Sequence, residues 1–145
     1  MTTESAVEAA QAALAAEHVA VYAYGVAGGV LDPSGPEAVR VRSAYEVHRA
    51  RRDGLETTVR SASAEPAPAE AGYALDRPVR GPAGAVAMAR TIEDRCAATY
   101  AALVAASTGA LRNDAVGWLG DAATRGLSWG AAPTAFPGLA PAPLR

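Results

Sequence analysis

Apolar residues recur along this chain at intervals of three and four, in four stretches divided by Pro and Gly. That spacing marks one face of a helix. The first stretch runs from about residue 3 to 30, contains no Pro and is dominated by Ala, the best helix former. Ser5 and Glu8 have capping-box spacing near its start, and Gly28, Gly29 and Leu31-Asp32-Pro33 end it. The second spans 34–61, opened by Ser34-Gly35-Pro36-Glu37, which reads as a capping box with Pro inside the first turn. The third spans 82–108 with Gly81 as its cap, and the fourth 111–129, starting at Leu111 or Asn113. No stretch alternates as a strand would, so the pattern predicts an all-α domain over residues 1–145.

Connection lengths predict the topology. Few residues join the first two helices or the last two, so each pair forms an antiparallel hairpin. Residues 63–81 hold Pro66, Pro68, Pro78, Gly72 and Gly81 and read as a linker. A helix of about 27 residues is roughly 40 Å long. A linker of this length can span roughly 60 Å when extended. It can therefore cross the whole bundle and make helices two and three parallel. The tail, 131–145, is irregular because of its prolines, and Phe136 and Leu139 are expected to anchor it.

Several polar residues sit where the apolar seam should continue. The heptad seam of the first helix reads Val7, Ala10, Leu14, Glu17, Val21, Tyr24, and that of the second Val41, Tyr45, His48, Arg52, Leu55, Val59. Folding the hairpin between residues 32 and 33 sets Glu17 level with His48. The third seam carries Glu93 beside Cys96 and Tyr100, and the fourth carries Arg125 between Ala122 and Trp129. Folding about Gly109 sets Glu93 level with Arg125. A buried charge without a partner is costly, so these groups are expected to satisfy one another. Tyr45, Arg52, Asp121 and Arg125 complete the expected network around Glu17, His48 and Glu93, and Tyr45 and Tyr100 can reach its carboxylates.

Composition narrows the function. Half of the 145 residues are apolar, mostly Ala; all 13 basic residues are Arg, and the formal net charge is −2. That argues against nucleic-acid binding through a broad basic face. Cys96 is the single cysteine, which excludes an intrachain disulfide and a Cys-based zinc cluster. Glu17 and His18 interrupt the one long apolar run, so no membrane span is expected. Without the pattern of a secretion signal, the chain reads as cytoplasmic. His18 points about 100° from Glu17 and reads as surface or packed under the tail. Arg49 and Asp53 have the spacing of a surface pair. Ala-rich outer faces and Tyr22 suggest a homodimer through the outer face of the first hairpin.

Three segments together, Ala16-Glu17-His18-Val19-Ala20-Val21-Tyr22-Ala23-Tyr24-Gly25, His48-Arg49-Ala50-Arg51-Arg52-Asp53 and Ala135-Phe136-Pro137-Gly138-Leu139, resemble an actinobacterial ferritin-like family, domain of unknown function 4439. The resemblance implies a ferritin-like four-helix bundle of two hairpins joined by a long crossover. Ferritin-like di-metal centres take Glu from two helices and Glu-x-x-His from the other two. Against that pattern Tyr45 stands three before His48 instead of Glu, and the fourth helix has Asp121 and Arg125 but no His. Three ligand-like residues remain, Glu17, His48 and Glu93. A charge network in place of iron or manganese is therefore expected, with a non-catalytic role. The alternatives are a degenerate metal-binding oxidoreductase and a small-ligand binder in the polar seam.

Overall fold

The computed structural model describes residues 3–140. It contains four α-helices: α1 (Thr3–Val30), α2 (Pro36–Ser61), α3 (Gly81–Ala106) and α4 (Gly109–Ser128). No strand occurs among the described residues. The last five residues of the expected tail lie outside them.

Helix ends follow local chemistry, with corrections: Arg80 and not Gly81 is the N-cap of α3, and α4 begins at Gly109 and not at Leu111 or Asn113. The capping box at Ser34 does not form. The Ser34 amide and hydroxyl both donate to Asp32 Oδ1, at 2.9 and 2.7 Å, and close a turn before the helix. Gly35 becomes the N-cap, and Pro36 opens α2 two residues later than predicted. The α3–α4 connection is tighter than expected, with only Ser107 and Thr108 between the helices. The Ser107 hydroxyl donates to Leu103 O at 2.5 Å, and Gly109 starts α4 with φ of 60°.

Two apolar clusters fill the bundle. One unites the second half of α1, from Ala20 to Ala27, and Leu31 just beyond it with the start of α2, most of α3 and the end of α4. The other unites Leu14 of α1, Leu55 and Val59 of α2, Leu103 of α3 and Ala115 of α4. The two N-terminal ends of α2 and α3 therefore share one end of the bundle, and the two C-terminal ends share the other. Helices two and three are parallel, as the linker length predicted.

The crossover runs along α1. Gln11 holds it at its start, donating to Glu65 O at 2.6 Å and accepting from Ala67 N at 2.8 Å. His18 Nε2 lies 2.9 Å from Ala67 O. Farther on, Tyr22 meets Tyr73 edge to face at 5.6 Å and also contacts Gly72. Leu75 and Val79 then join the apolar cluster around Leu31 and Val41. His18 is thus buried under the crossover and not under the tail. Tyr22, the side chain that motivated the dimer face, is covered by the same segment. No described helix is long and apolar enough to cross a membrane.

The tail approaches the bundle through the backbone at Gly138 and not through its large apolar residues. Gly138, with φ of 77°, lies so close to the Ala97 carbonyl that a Cβ could not fit. Phe136 and Leu139 remain 71 % and 62 % exposed, contrary to the expectation that they anchor it.

Small side chains decide which helices approach. Ala10, Ala13, Ala20, Ala23 and Ala27 of α1 are buried, as are Ala85, Ala89 and Ala97 of α3, and these two helices pack closely. Helices α2 and α4 stay more than 8 Å apart between Cα atoms throughout. Arginines bridge that gap: Arg51 reaches Asp121, and the Arg40 guanidinium sits 3.7 Å from the Trp129 ring centroid.

Replacing Gln11 with Ala should loosen the crossover, because two backbone groups lose their partner together. We expect a loss of about 1–2 kcal/mol in urea unfolding. Cleavage within 63–80 by a dilute protease should be faster, with the helices unaffected.

Candidate functional site

A polar layer separates the two apolar clusters at mid-bundle. Helix α1 delivers Glu17 and, two turns on, Tyr24. Helix α2 delivers His48 and Arg51, α3 delivers Glu93, Cys96 and Tyr100, and α4 delivers Asp121 and Arg125. Glu17 and His48 are fully buried, and Glu93 is 1 % exposed.

His48 is the hub. Its Nδ1 lies 2.7 Å from Glu17 Oε2, and its Nε2 lies 3.2 Å from Glu93 Oε1. Both ring nitrogens thus face carboxylate oxygens, which only the imidazolium satisfies by donating twice. Burial pulls the His48 pKa down, but hydrogen bonding to Cys96, Glu17 and Glu93 and the charge of Glu17 outweigh it, and the pKa rises to about 11. The Tyr24 ring stacks on the imidazole at 5.3 Å, and its hydroxyl donates to Glu93 Oε1 at 2.6 Å. The Tyr100 hydroxyl donates to Glu17 Oε1. Burial foremost, then the neighbouring carboxylate charge, raises both phenol pKa values, so both remain donors.

A second tier neutralises the layer from α2 and α4. Arg51 Nη1 donates to the Tyr100 hydroxyl at 3.3 Å, and Arg51 Nη2 and Arg125 Nη2 both donate to Asp121 Oδ2. Desolvation pushes the Asp121 pKa up, but Arg125 and Arg51 together hold it below the usual carboxylate range. Arg125 Nε stands 3.2 Å from Glu93 Oε1 but is misaligned for a hydrogen bond. Counted at formal charge, Glu17, Glu93 and Asp121 meet His48, Arg51 and Arg125, three against three. Glu93 Oε2 and Arg125 Nε remain without a hydrogen bond among the described residues.

The predicted pairs Glu17–His48 and Glu93–Arg125 both form, and Asp121 joins them. Two predicted members do not. Tyr45 is half-buried beside Gly25 and makes no hydrogen bond to the carboxylates; Tyr24 takes that role. Arg52 turns outward and pairs with Asp53 at 2.7 Å, while Arg51 turns in. The buried positions of α2 are Ala38, Val41, Ala44, His48, Arg51, Leu55 and Val59, so the seam steps by three from Val41 and from His48 where the heptad stepped by four. Both patterns repeat every seven residues and share Val41, His48 and Leu55; they differ in which flank turns inward, Ala44 and Arg51 three residues on or Tyr45 and Arg52 four residues on. Arg49 also departs from expectation, standing 4.0 Å from Glu46 instead of pairing with Asp53. Cys96 belongs to the layer, although the seam suggested only a small hydrophobe; burial raises its pKa, so it stays a thiol.

The family model described as a domain of unknown function (DUF4439) matches residues 9–141. The chain belongs to this family. A structural comparison places it beside the crystal structure of a conserved hypothetical protein, rv2844, from Mycobacterium tuberculosis. The two are 28 % identical with a TM-score of 0.82, over 89 % of this chain and 97 % of the other. No curated protein matches the chain.

The ligand set of a ferritin-like di-metal centre does not fit these residues. Hydroxyls of Tyr24 and Tyr100 already occupy carboxylate oxygens, and Arg125 stands where added positive charge would be repelled. A smaller group fits a single cation better: ligand atoms of Glu17, His48 and Cys96 all lie within 4.8 Å of one another. Glu93, the third ligand expected from the sequence, is not in that group.

Two outcomes test the layer. Glu17→Ala should cost about 3–5 kcal/mol, because it leaves His48 charged and buried without its closer partner. Replacing Glu17 and His48 together with apolar residues should cost less, since no orphan remains, and a urea double-mutant cycle measures the difference. Arg51→Ala should cost about 1–3 kcal/mol, whereas Arg52→Ala should stay within about 0.5 kcal/mol.

The pH dependence has a definite sign. The folded His48 pKa is raised, so its contribution is complete below the unfolded value of 6.5. Stability should decline progressively as pH climbs from there toward about 11. Denaturant midpoints across this range check it, and His48→Phe should flatten the slope. NMR of the wild type at pH near 8 should still show a protonated His48 ring.

Proposed function

We propose that the chain is a non-catalytic ferritin-like bundle in which a closed charge network replaces the di-metal centre, leaving binding or assembly as its role. One observation carries this reading: His48 bridges Glu17 and Glu93 through both ring nitrogens, and two arginines balance the remaining carboxylate charge. A di-metal centre needs several unneutralised carboxylates facing open coordination positions. Here the carboxylates face cations and phenols. The Glu17–His48–Glu93 core of the network is buried between apolar clusters, which supports an architectural role for it.

A second reading keeps one cation on Glu17, His48 and Cys96, favoured by the proximity of their ligand atoms. It requires His48 to give up its proton and Cys96 to become a thiolate, both against the present electrostatics.

Metal analysis separates the two. Protein purified from iron- and manganese-supplemented cultures should hold far less than one metal per chain, and added Fe2+, Mn2+ or Zn2+ should leave its melting temperature unchanged. Stoichiometric metal that survives dialysis, and disappears in Glu17→Ala, would overturn the network reading. Loss of that metal in Cys96→Ala as well would establish the second one.

A further inference from the structure

A broad groove opens between the last part of the crossover and the first half of α3, and the central network does not use it. It encloses about 580 Å3, within the range that takes a small organic ligand. Its floor is apolar: Leu75 and Met88 pack on the apolar cluster around Leu31 and Val41, and Ile92 belongs to that cluster. Its rim carries Arg77, Arg90 and Arg95 with a single carboxylate, Asp76.

These arginines are not equivalent. Asp76 engages Arg95 with both oxygens at 2.7 Å. Arg90 has only a long hydrogen bond, 3.4 Å, to the Gly130 carbonyl. Arg77 has no hydrogen bond or ion pair among the described residues. The groove thus holds an excess of two positive charges in a chain whose formal net charge is −2. An apolar floor beneath two guanidiniums that lack carboxylate partners selects a ligand with both characters.

We infer that this groove binds an amphipathic organic anion, its apolar body against Leu75, Met88 and Ile92 and its anionic head at Arg77 and Arg90. The site goes beyond the reading of the central network and stands whether or not that network accepts a metal. A neutral ligand of the same shape would gain the floor and lose the rim. A cationic one would be repelled.

Decanoate, decanol and decyltrimethylammonium are the probes, each titrated by calorimetry and followed by amide chemical shifts. Decanoate should bind one per chain, below about 1 mM, with shifts concentrated in residues 75–95. Arg77→Gln with Arg90→Gln should weaken it at least tenfold. So should raising salt to about 0.5 M, which screens exposed charge. Ala83→Trp, which fills the groove and keeps the charges, should abolish binding. All variants leave Glu17, His48 and Glu93 intact, and their thermal melts should match the wild type. Decanol binding as tightly as decanoate, full affinity in the double Gln variant, shifts mapping elsewhere, or no decanoate binding below that limit would each overturn the assignment.

Discussion

The fold depends on one buried cation. His48 sits where four Ala-rich helices would otherwise close on an apolar centre, and it donates to carboxylates on two different helices. Desolvating an imidazolium is costly, and only two well-placed carboxylates offset that cost. Their placement fixes the relative height of α1, α2 and α3. Alanine packing alone leaves such helices free to slide, because short side chains interlock weakly. The polar layer therefore supplies register, while the clusters on either side supply most of the apolar burial.

The layer also explains the uneven bundle. Helices α1 and α3 approach closely through alanines, whereas α2 and α4 remain apart. Long side chains fill the wider side, with Arg51, Trp118 and Tyr100 grouped together and Arg40 lying on Trp129. An arginine stem covers apolar surface while its head finds a carboxylate.

Much of this was legible in the sequence. Pro and Gly marked the helix boundaries to within a few residues, and the length and proline content of 63–81 allowed a crossover that makes the second and third helices parallel. The seam intruders Glu17, His48, Glu93 and Arg125 were readable because a charged residue inside an apolar period demands a partner. Which flank of α2 turned inward was not readable. Arg51 and Arg52 are chemically identical, and the choice between them rests on which flank of the Val41–His48–Leu55 row faces Asp121 of α4. Tyr24 and Cys96 were visible in the seam, but their part in the layer required knowing the height of α1 against α3. The tail failed for a different reason: a glycine's close approach to a carbonyl leaves no trace in hydrophobic pattern.

The charges of the layer divide unequally between the hairpins. Helices α1 and α2 bring Glu17, His48 and Arg51, a surplus of one positive charge. Helices α3 and α4 bring Glu93, Asp121 and Arg125, a surplus of one negative charge. Each hairpin is thus incomplete alone and complementary to the other, with Glu17 and Tyr100 meeting across 83 positions of chain. Two copies of the same hairpin would confront like charges at the centre of the bundle. During folding, that asymmetry favours docking of unlike halves over mispairing between neighbouring chains, a safeguard that alanine surfaces alone could not provide.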